Sequence, residues 1–108
     1  VVYGTLFDPR GQYAAYGRIK CRVFPYPGDS LIYKGDTIVT QTVVEDTANA
    51  YGYFQIPLIA NSNFTAPDST YYQVSIYNRY GQLLERPFYC IVPDTTSIAI
   101  TDLTKWRR

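Results

Sequence analysis

Histidine and methionine are absent from this chain of 108 residues, and only two cysteines are present. Without histidine, the most frequent general acid or base, and without a Gly-x-Ser-x-Gly motif, the sequence lacks the usual signs of hydrolytic chemistry. Two isolated cysteines do not supply the ligand set of a zinc site. The sequence therefore predicts a protein that is not an enzyme, with no catalytic residue, no metal ion and no cofactor.

Clustered charge and long apolar runs are also lacking. Ten basic residues face nine acidic ones, and the basic residues are scattered except for Arg107 and Arg108 at the end of the sequence. A nucleic-acid surface needs a basic cluster, and a membrane-spanning helix needs about 18 or more consecutive apolar residues. The start of the chain also lacks the basic-then-apolar pattern of a secretory signal. We therefore expect neither nucleic acid nor membrane as a partner.

Tyrosine is the residue in excess, at 12 of 108 positions. It favours strands, and its hydroxyl tolerates a surface that other molecules contact. Roughly eight short segments show alternating hydrophobicity, turn residues separate them, and no window has a helical period. This pattern predicts an all-β fold, an antiparallel β-sandwich, formed by a single domain over residues 1–104 with a C-terminal tail over residues 105–108.

The segment 40–57 is predicted to be the hairpin around which the other strands are organised. Its two arms alternate in hydrophobicity, and Gly52 permits a positive φ after the turn. Glu45 and Asp46 lie in the predicted turn, where solvated carboxylates are a simpler interpretation than a catalytic pair or a calcium site. One face of such a hairpin is apolar, so a second sheet is expected to cover it.

The strand pattern is clearest between residues 71 and 77, where Tyr72, Val74 and Ile76 share one face. The strand from 69 to 77 carries no Lys, Glu or Pro that would discourage edge pairing. We therefore expect oligomerisation or docking through this strand or through the tail. The predicted core consists of Leu6, Ile19, Val23, Phe54, Ile56, Val74, Ile76 and Ile100.

Both cysteines occur in strand-like runs, and the alternation directs Cys21 and Cys90 inward. If they face each other across the sandwich, they can form a disulfide. Otherwise they are two small buried hydrophobic residues. The sequence leaves both alternatives open.

Four segments carry a resemblance to a known family. They are Val2-x-Gly4-x-Leu6-x-Asp8-x-x-Gly11, Gly52-x-Phe54, Tyr72-x-Val74-x-Ile76, and Val92-Pro93 through Ile98-x-Ile100 to Asp102-Leu103. In this order and spacing, they resemble immunoglobulin-like or prealbumin-like β-sandwich modules of bacteriophage tail, fibre and other virion proteins. The resemblance implies a Greek-key sandwich in a virion, with a structural or host-attachment role. The implied partners are other virion proteins or copies of the same chain.

The candidate contact residues are tyrosines outside the predicted core and the last residues of the chain. They are Tyr26, Tyr33, Tyr71, Tyr77, Tyr80, Trp106, Arg107 and Arg108. Tyrosine, tryptophan and arginine are enriched at protein interfaces. By contrast, Tyr3, Tyr53, Tyr72 and Tyr89 are expected to pack the interior.

Two other functions remain open from the sequence. Exposed tyrosines also suit a carbohydrate-binding module of a bacterial surface or secreted protein, with a host-surface glycan as its partner. A pilin-like domain with an isopeptide bond would place Lys20 opposite an asparagine with a glutamate nearby.

Overall fold

The computed structural model describes residues 1–6, 11–26, 32–39, 43–64, 69–84 and 86–107. Ten strands and two 3₁₀ turns lie in these ranges. The strands are β1 (Val2–Thr5), β2 (Arg18–Tyr26), β3 (Tyr33–Lys34), β4 (Thr37–Ile38), β5 (Val43–Thr47), β6 (Tyr53–Ile56), β7 (Ser69–Tyr77), β8 (Phe88–Ile91), β9 (Ile98–Ala99) and β10 (Thr104–Trp106). The 3₁₀ turns are Asn61–Asn63 and Ile100–Asp102.

Two sheets and a small hairpin make up the architecture. One sheet has the strand order β6-β1-β9 and the other β10-β8-β7-β2-β5, while β3 and β4 pair with each other. The pairings between these described strands are antiparallel except that of β1 with β9. The predicted all-β sandwich is confirmed. No helix long and apolar enough to cross a membrane occurs in the described ranges.

Strand β7 lies in the interior of the five-stranded sheet. It pairs along nine residues with β2, from Arg18 opposite Tyr77 to Tyr26 opposite Ser69, and it pairs with β8 on its other side. The predicted alternation is confirmed, since Tyr72 and Val74 are buried. The prediction of a free edge here was wrong, because the strand's lack of edge-protecting residues reflects a central position rather than an exposed edge.

The predicted hairpin at residues 40–57 was also wrong. Its arms β5 and β6 belong to different sheets, since β5 pairs with β2 and β6 pairs with β1. Strand β5 continues through Glu45 and Asp46, which were placed in the turn, and residues 40–42 lie outside the described part of the chain. Alternation specifies which face of a strand is buried but not which strand pairs with it. The positive φ at Gly52 is confirmed, at 76°.

The core lies between the two sheets. Six of the eight predicted core residues are buried, while Ile76 and Ile100 are partly buried and pack against the others. Ile100 belongs to a 3₁₀ turn rather than to the last strand. The sequence predicted a tail over residues 105–108, but in the structure Lys105 and Trp106 form β10 with Thr104 and pair with β8. Among the described residues, the buried hydrophobic side chains are those of Val2, Leu6, Ile19, Cys21, Val23, Ile32, Ala48, Phe54, Ile56, Ala60, Phe64, Tyr72, Val74, Cys90, Val92 and Leu103.

Both cysteines point inward, as predicted, and both are free thiols. They do not face each other across the sandwich, because Cys21 on β2 and Cys90 on β8 lie in one sheet with β7 between them. Two strand spacings separate their backbones by roughly 10 Å. A disulfide requires Cα atoms within about 7 Å. The thiols therefore serve as small core residues.

Candidate functional site

Three tight turns present tyrosines at one end of the sandwich. They are residues 14–17, 49–52 and 78–81, each ending in Tyr-Gly, and we call them the Tyr-Gly turns. In each turn the glycine N–H donates to the carbonyl of the first residue. These bonds are Gly17 to Ala14 at 3.2 Å, Gly52 to Asn49 at 3.0 Å and Gly81 to Asn78 at 3.0 Å.

Asparagine side chains fix the second and third turns in the same way. Oδ1 of Asn49 accepts from the N–H groups of Tyr51 at 2.9 Å and Tyr53 at 3.1 Å. Oδ1 of Asn78 accepts from the N–H groups of Tyr80 at 2.9 Å and Gln82 at 3.0 Å. Asparagine first and glycine fourth is the residue preference of such turns, and it leaves the third residue, tyrosine, directed outward.

The first turn contains no asparagine and is stabilised by contacts with residues 48 and 49 instead. Tyr16 itself has a positive φ of 58°, which is rare for a bulky side chain and costs free energy. Its N–H donates to the carbonyl of Asn49 at 3.1 Å, and the N–H of Ala48 donates to the carbonyl of Gly17 at 2.7 Å. The second turn therefore holds the first in its strained conformation.

The Tyr-Gly turns meet in a cluster that we call the tyrosine tip, formed by Tyr13, Tyr16, Tyr51, Arg79 and Tyr80. The rings of Tyr13 and Tyr51 are in edge-to-face contact at 6.2 Å. The guanidinium of Arg79 lies over the rings of Tyr16, at 5.4 Å, and Tyr80, at 5.6 Å. Tyr51 and Tyr80 are 69% and 79% exposed, so these large rings are available to a partner.

A polar cleft of about 630 Å³ opens beside the tip. It combines two guanidinium groups with two carboxylates and two hydroxyl groups. Oδ2 of Asp46 accepts from the N–H of Gln55 at 3.2 Å and so links the edges of the two sheets. The side chains of Arg18 and Glu45 form no hydrogen bond or ion pair within the described ranges. The lining residues are Tyr16, Arg18, Glu45, Asp46, Thr47 and Arg79.

A second aromatic surface crosses the outer face of the five-stranded sheet. Its rings are Phe24 on β2, Tyr71 on β7, Tyr89 on β8 and Trp106 on β10, and we call it the aromatic ladder. Tyr71 stacks on Phe24 at 5.6 Å and contacts Tyr89 edge-on at 5.5 Å. Trp106 stacks on Tyr89 at 6.1 Å, and the guanidinium of Arg22 covers Phe24 at 5.1 Å.

The ladder rings stack on one another in two nearly parallel pairs. Phe24 and Tyr71 are 17° from parallel, and Tyr89 and Trp106 are 24° from parallel. Offset stacking of this kind stabilises each pair by about 1 kcal/mol beyond its buried area. The ladder is therefore a packed row that ends at β10, the edge strand of the described sheet.

The predicted contact residues divide between these surfaces. Tyr71 and Trp106 belong to the ladder, and Nη2 of Arg107 donates to the carbonyl of Arg86 at 3.3 Å beside it. Tyr80 belongs to the tip. Tyr77 is half-buried on the outer face of β7, with Nζ of Lys20 over its ring at 5.5 Å.

Tyr33 lies apart from both surfaces, half-buried in the hairpin β3–β4. The side chain of Tyr26 and all of Arg108 lie outside the described part of the chain. Among the tyrosines assigned to the interior, Tyr72 is confirmed, and its hydroxyl donates to the carbonyl of Ile59 at 2.7 Å. Tyr53 and Tyr89 are not interior, since both lie on outer faces.

Sequence reasoning missed four residues of the tip and two of the ladder. They are Tyr13, Tyr16, Tyr51 and Arg79 at the tip and Phe24 and Tyr89 in the ladder. The available signal was the motif Asn-x-Tyr-Gly, which occurs at residues 49–52 and again at 78–81. Its turn chemistry predicts an outward tyrosine at each place. The four ladder positions carry no such local signal, because cross-strand register brings them together.

Lys20 has Glu45 and Ser75 as its cross-strand neighbours, rather than the asparagine that an isopeptide would require. Within the described residues, no three His, Cys, Asp or Glu side chains are grouped to hold a metal ion.

Comparisons with protein-family models, with curated proteins and with solved structures found no match to this chain.

Proposed function

We propose that this chain is a non-enzymatic structural or attachment module of a bacteriophage virion and that it docks on a second copy of itself through the aromatic ladder. The observation that supports this function is the row of four aromatic side chains that reaches the edge strand β10. Aromatic side chains and arginine dominate the energetics of protein interfaces. The virion assignment rests on the resemblance of four sequence segments to phage sandwich modules.

The edge strand β10 carries one charged residue, Lys105, whose charge does not cover the ladder. A lysine usually protects such an edge by projecting its charge into solvent. Here Nζ of Lys105 instead donates to the carbonyls of Ile100, Thr101 and Leu103 at 2.9–3.1 Å. The charge is thus held against the chain's own carbonyls, on the side of β10 that faces Cys90, and it does not cover the outer face that carries Trp106.

The ladder fits a protein partner better than a sugar. A sugar platform needs ring faces that are free, whereas ladder faces are occupied by neighbouring rings and by Arg22. A row of rings on the outer face of a sheet suits side-chain packing across a two-fold axis. In a two-fold arrangement each copy contributes the same patch, which suits a repeated virion component.

The test is the molar mass in solution, measured by light scattering, of the parent, Trp106→Ala and Tyr53→Ala. Trp106 and Tyr53 are exposed to the same extent, 36% and 37%, but only Trp106 belongs to the ladder. We expect a dimer or larger assembly for the parent and for Tyr53→Ala, and a monomer for Trp106→Ala. Circular dichroism verifies that each variant is folded. A monomeric parent, or an unchanged mass in Trp106→Ala, would overturn docking through the ladder.

A further inference from the structure

The polar cleft beside the tyrosine tip takes no part in docking through the ladder, and the two surfaces share no residue. We propose that this cleft is a binding site for a neutral saccharide. The ligand would lie between the charged groups of the cleft and the exposed rings of Tyr16 and Tyr80. A second partner surface of this kind would leave the module free to dock and to bind a ligand at once.

The charge of the cleft argues against a phosphate, a sulfate or a cation as its ligand. The lining carries two guanidinium groups, from Arg18 and Arg79, and two carboxylates, from Glu45 and Asp46, so its formal charge is zero. A phosphate or sulfate needs an excess of cationic donors, which the carboxylates oppose. A cation is opposed in the same way by the guanidinium groups. A polar ligand without net charge fits best.

The hydrogen-bonding groups of the cleft match hydroxyls in particular. Guanidinium groups only donate and carboxylates only accept, whereas a hydroxyl does both. Neighbouring hydroxyls of a sugar can therefore accept from Arg18 and donate to Glu45 at the same time. Neither side chain has a hydrogen-bond or ion-pair partner within the described ranges, so both can bind a ligand. Hydrogen bonds to charged groups are about twice as strong as neutral ones.

The tyrosines complete the site. The face of an aromatic ring is electron-rich, so it attracts the C–H groups on the flat side of a pyranose ring. Unlike the ladder rings, those of Tyr16 and Tyr80 are not stacked on other rings within the described ranges. The guanidinium of Arg79 covers one face of each ring, so the sugar would lie on the opposite face. Tyr80 is 79% exposed, which leaves most of its surface for a ligand.

The site is also ordered before any ligand arrives. Oδ1 of Asn78 fixes the backbone of Tyr80, and the strained conformation of Tyr16 is held by Asn49. The guanidinium of Arg79 is positioned by its contacts with both rings. Such ordering reduces the entropy lost on binding and so favours affinity for a flexible glycan.

The experiment is isothermal titration calorimetry of the folded chain with four probes: gluco-, manno- and chito-hexasaccharides and a uronate-containing hexasaccharide. We expect at least one neutral probe to bind with a Kd below about 1 mM. Glu45→Gln keeps the shape of the side chain and removes its charge, and it should weaken that binding about tenfold. Asp94→Asn makes the same chemical change at an exposed loop outside the cleft and should leave binding unchanged.

Tyr80→Ala provides a second variant, and because this side chain is largely exposed, its truncation leaves the core intact. Its binding should also fall about tenfold. Failure of all three neutral probes, tighter binding of the uronate probe, or unchanged binding in Glu45→Gln and Tyr80→Ala would each overturn the proposal. Trp106→Ala should bind the saccharide like the parent. A failure of the docking proposal can therefore be distinguished from a failure of the saccharide proposal.

Discussion

Oδ1 of Asn78 accepts a hydrogen bond from the backbone N–H of Tyr80 at 2.9 Å, and this contact directs the most exposed tyrosine of the tip outward. The same oxygen accepts from Gln82, while Nδ2 of Asn78 donates to Oε1 of Gln82 at 2.9 Å. One side chain therefore closes the whole turn. Asn49 repeats the two backbone contacts at Tyr51 and Tyr53.

We expect Asn78→Ala to lower the free energy of unfolding by about 1–2 kcal/mol, because the variant loses two hydrogen bonds to backbone N–H groups. It should also weaken saccharide binding, since Tyr80 is no longer held in place. Urea unfolding measures the first effect and calorimetry the second. The control is Asn63→Ala, where an exposed asparagine has no side-chain hydrogen bond within the described ranges. Equal stability losses in both variants would contradict the role given to Asn78.

Gly52 and Gly81 occupy the same position in two like turns, with φ of 76° and 84°. A Cβ at Gly52 would lie 2.5 Å from the carbonyl oxygen of Leu6, whereas a Cβ at Gly81 would meet nothing within 4 Å. Gly81→Ala should therefore cost only the backbone strain, about 1 kcal/mol. Gly52→Ala should cost clearly more, about 3 kcal/mol or above, because the backbone must also move. Thermal melts of the pair test this, and similar melting temperatures would contradict it.

Asn61 is a buried polar residue that joins three parts of the chain. Its Oδ1 accepts from the N–H of Val92 at 2.7 Å, and its Nδ2 donates to Oγ1 of Thr70 at 2.8 Å. Asn61→Leu should lower the free energy of unfolding by about 2–4 kcal/mol, because it leaves both buried partners without a hydrogen bond. Chemical unfolding measures the loss. Ser62→Leu, at an exposed neighbour, is the control and should unfold like the parent.

Burial raises the pKa of Cys21 and of Cys90 from the ordinary value of 9.0 to about 12, and Cys90 adds to the effect on Cys21. Above pH 9 the unfolded chain therefore loses thiol protons that the folded chain keeps. The stability that each thiol contributes is fully present below pH 9 and decreases as pH rises from about 9 to about 12. At pH 10 the loss is roughly 1 kcal/mol per thiol.

Urea unfolding of the parent and of Cys21→Ala at pH 8 and pH 10 tests this dependence. The parent should lose about 1 kcal/mol more than the variant between the two pH values, because the variant has one buried thiol fewer. Cys21→Ala also creates a small cavity, but that cost is the same at both pH values and cancels in the comparison. An equal loss in both proteins would mean that Cys21 ionises alike in the folded and unfolded states.

The fold class and the buried faces could be predicted from the sequence because they depend on local properties. Residues two apart share a face of any strand, so the alternation around Val74 and around Phe54 predicted burial wherever those strands paired. The inward direction of Cys21 and Cys90 and the positive φ of Gly52 could be predicted in the same way. Each depends on a few consecutive residues and on the exclusion of apolar side chains from water.

Strand partners and the two aromatic surfaces were decided only by the tertiary structure. Backbone N–H and C=O groups are alike at nearly every residue, so a local pattern does not distinguish a partner in its own hairpin from one in the opposite sheet. For this reason the sequence did not predict that β5 and β6 belong to different sheets, or that Lys105 and Trp106 form β10 with Thr104. The ladder and the tip arise from residues far apart in the chain, such as Phe24 and Trp106, or Tyr16 and Tyr80. Only long-range pairing of strands determines which side chains become neighbours.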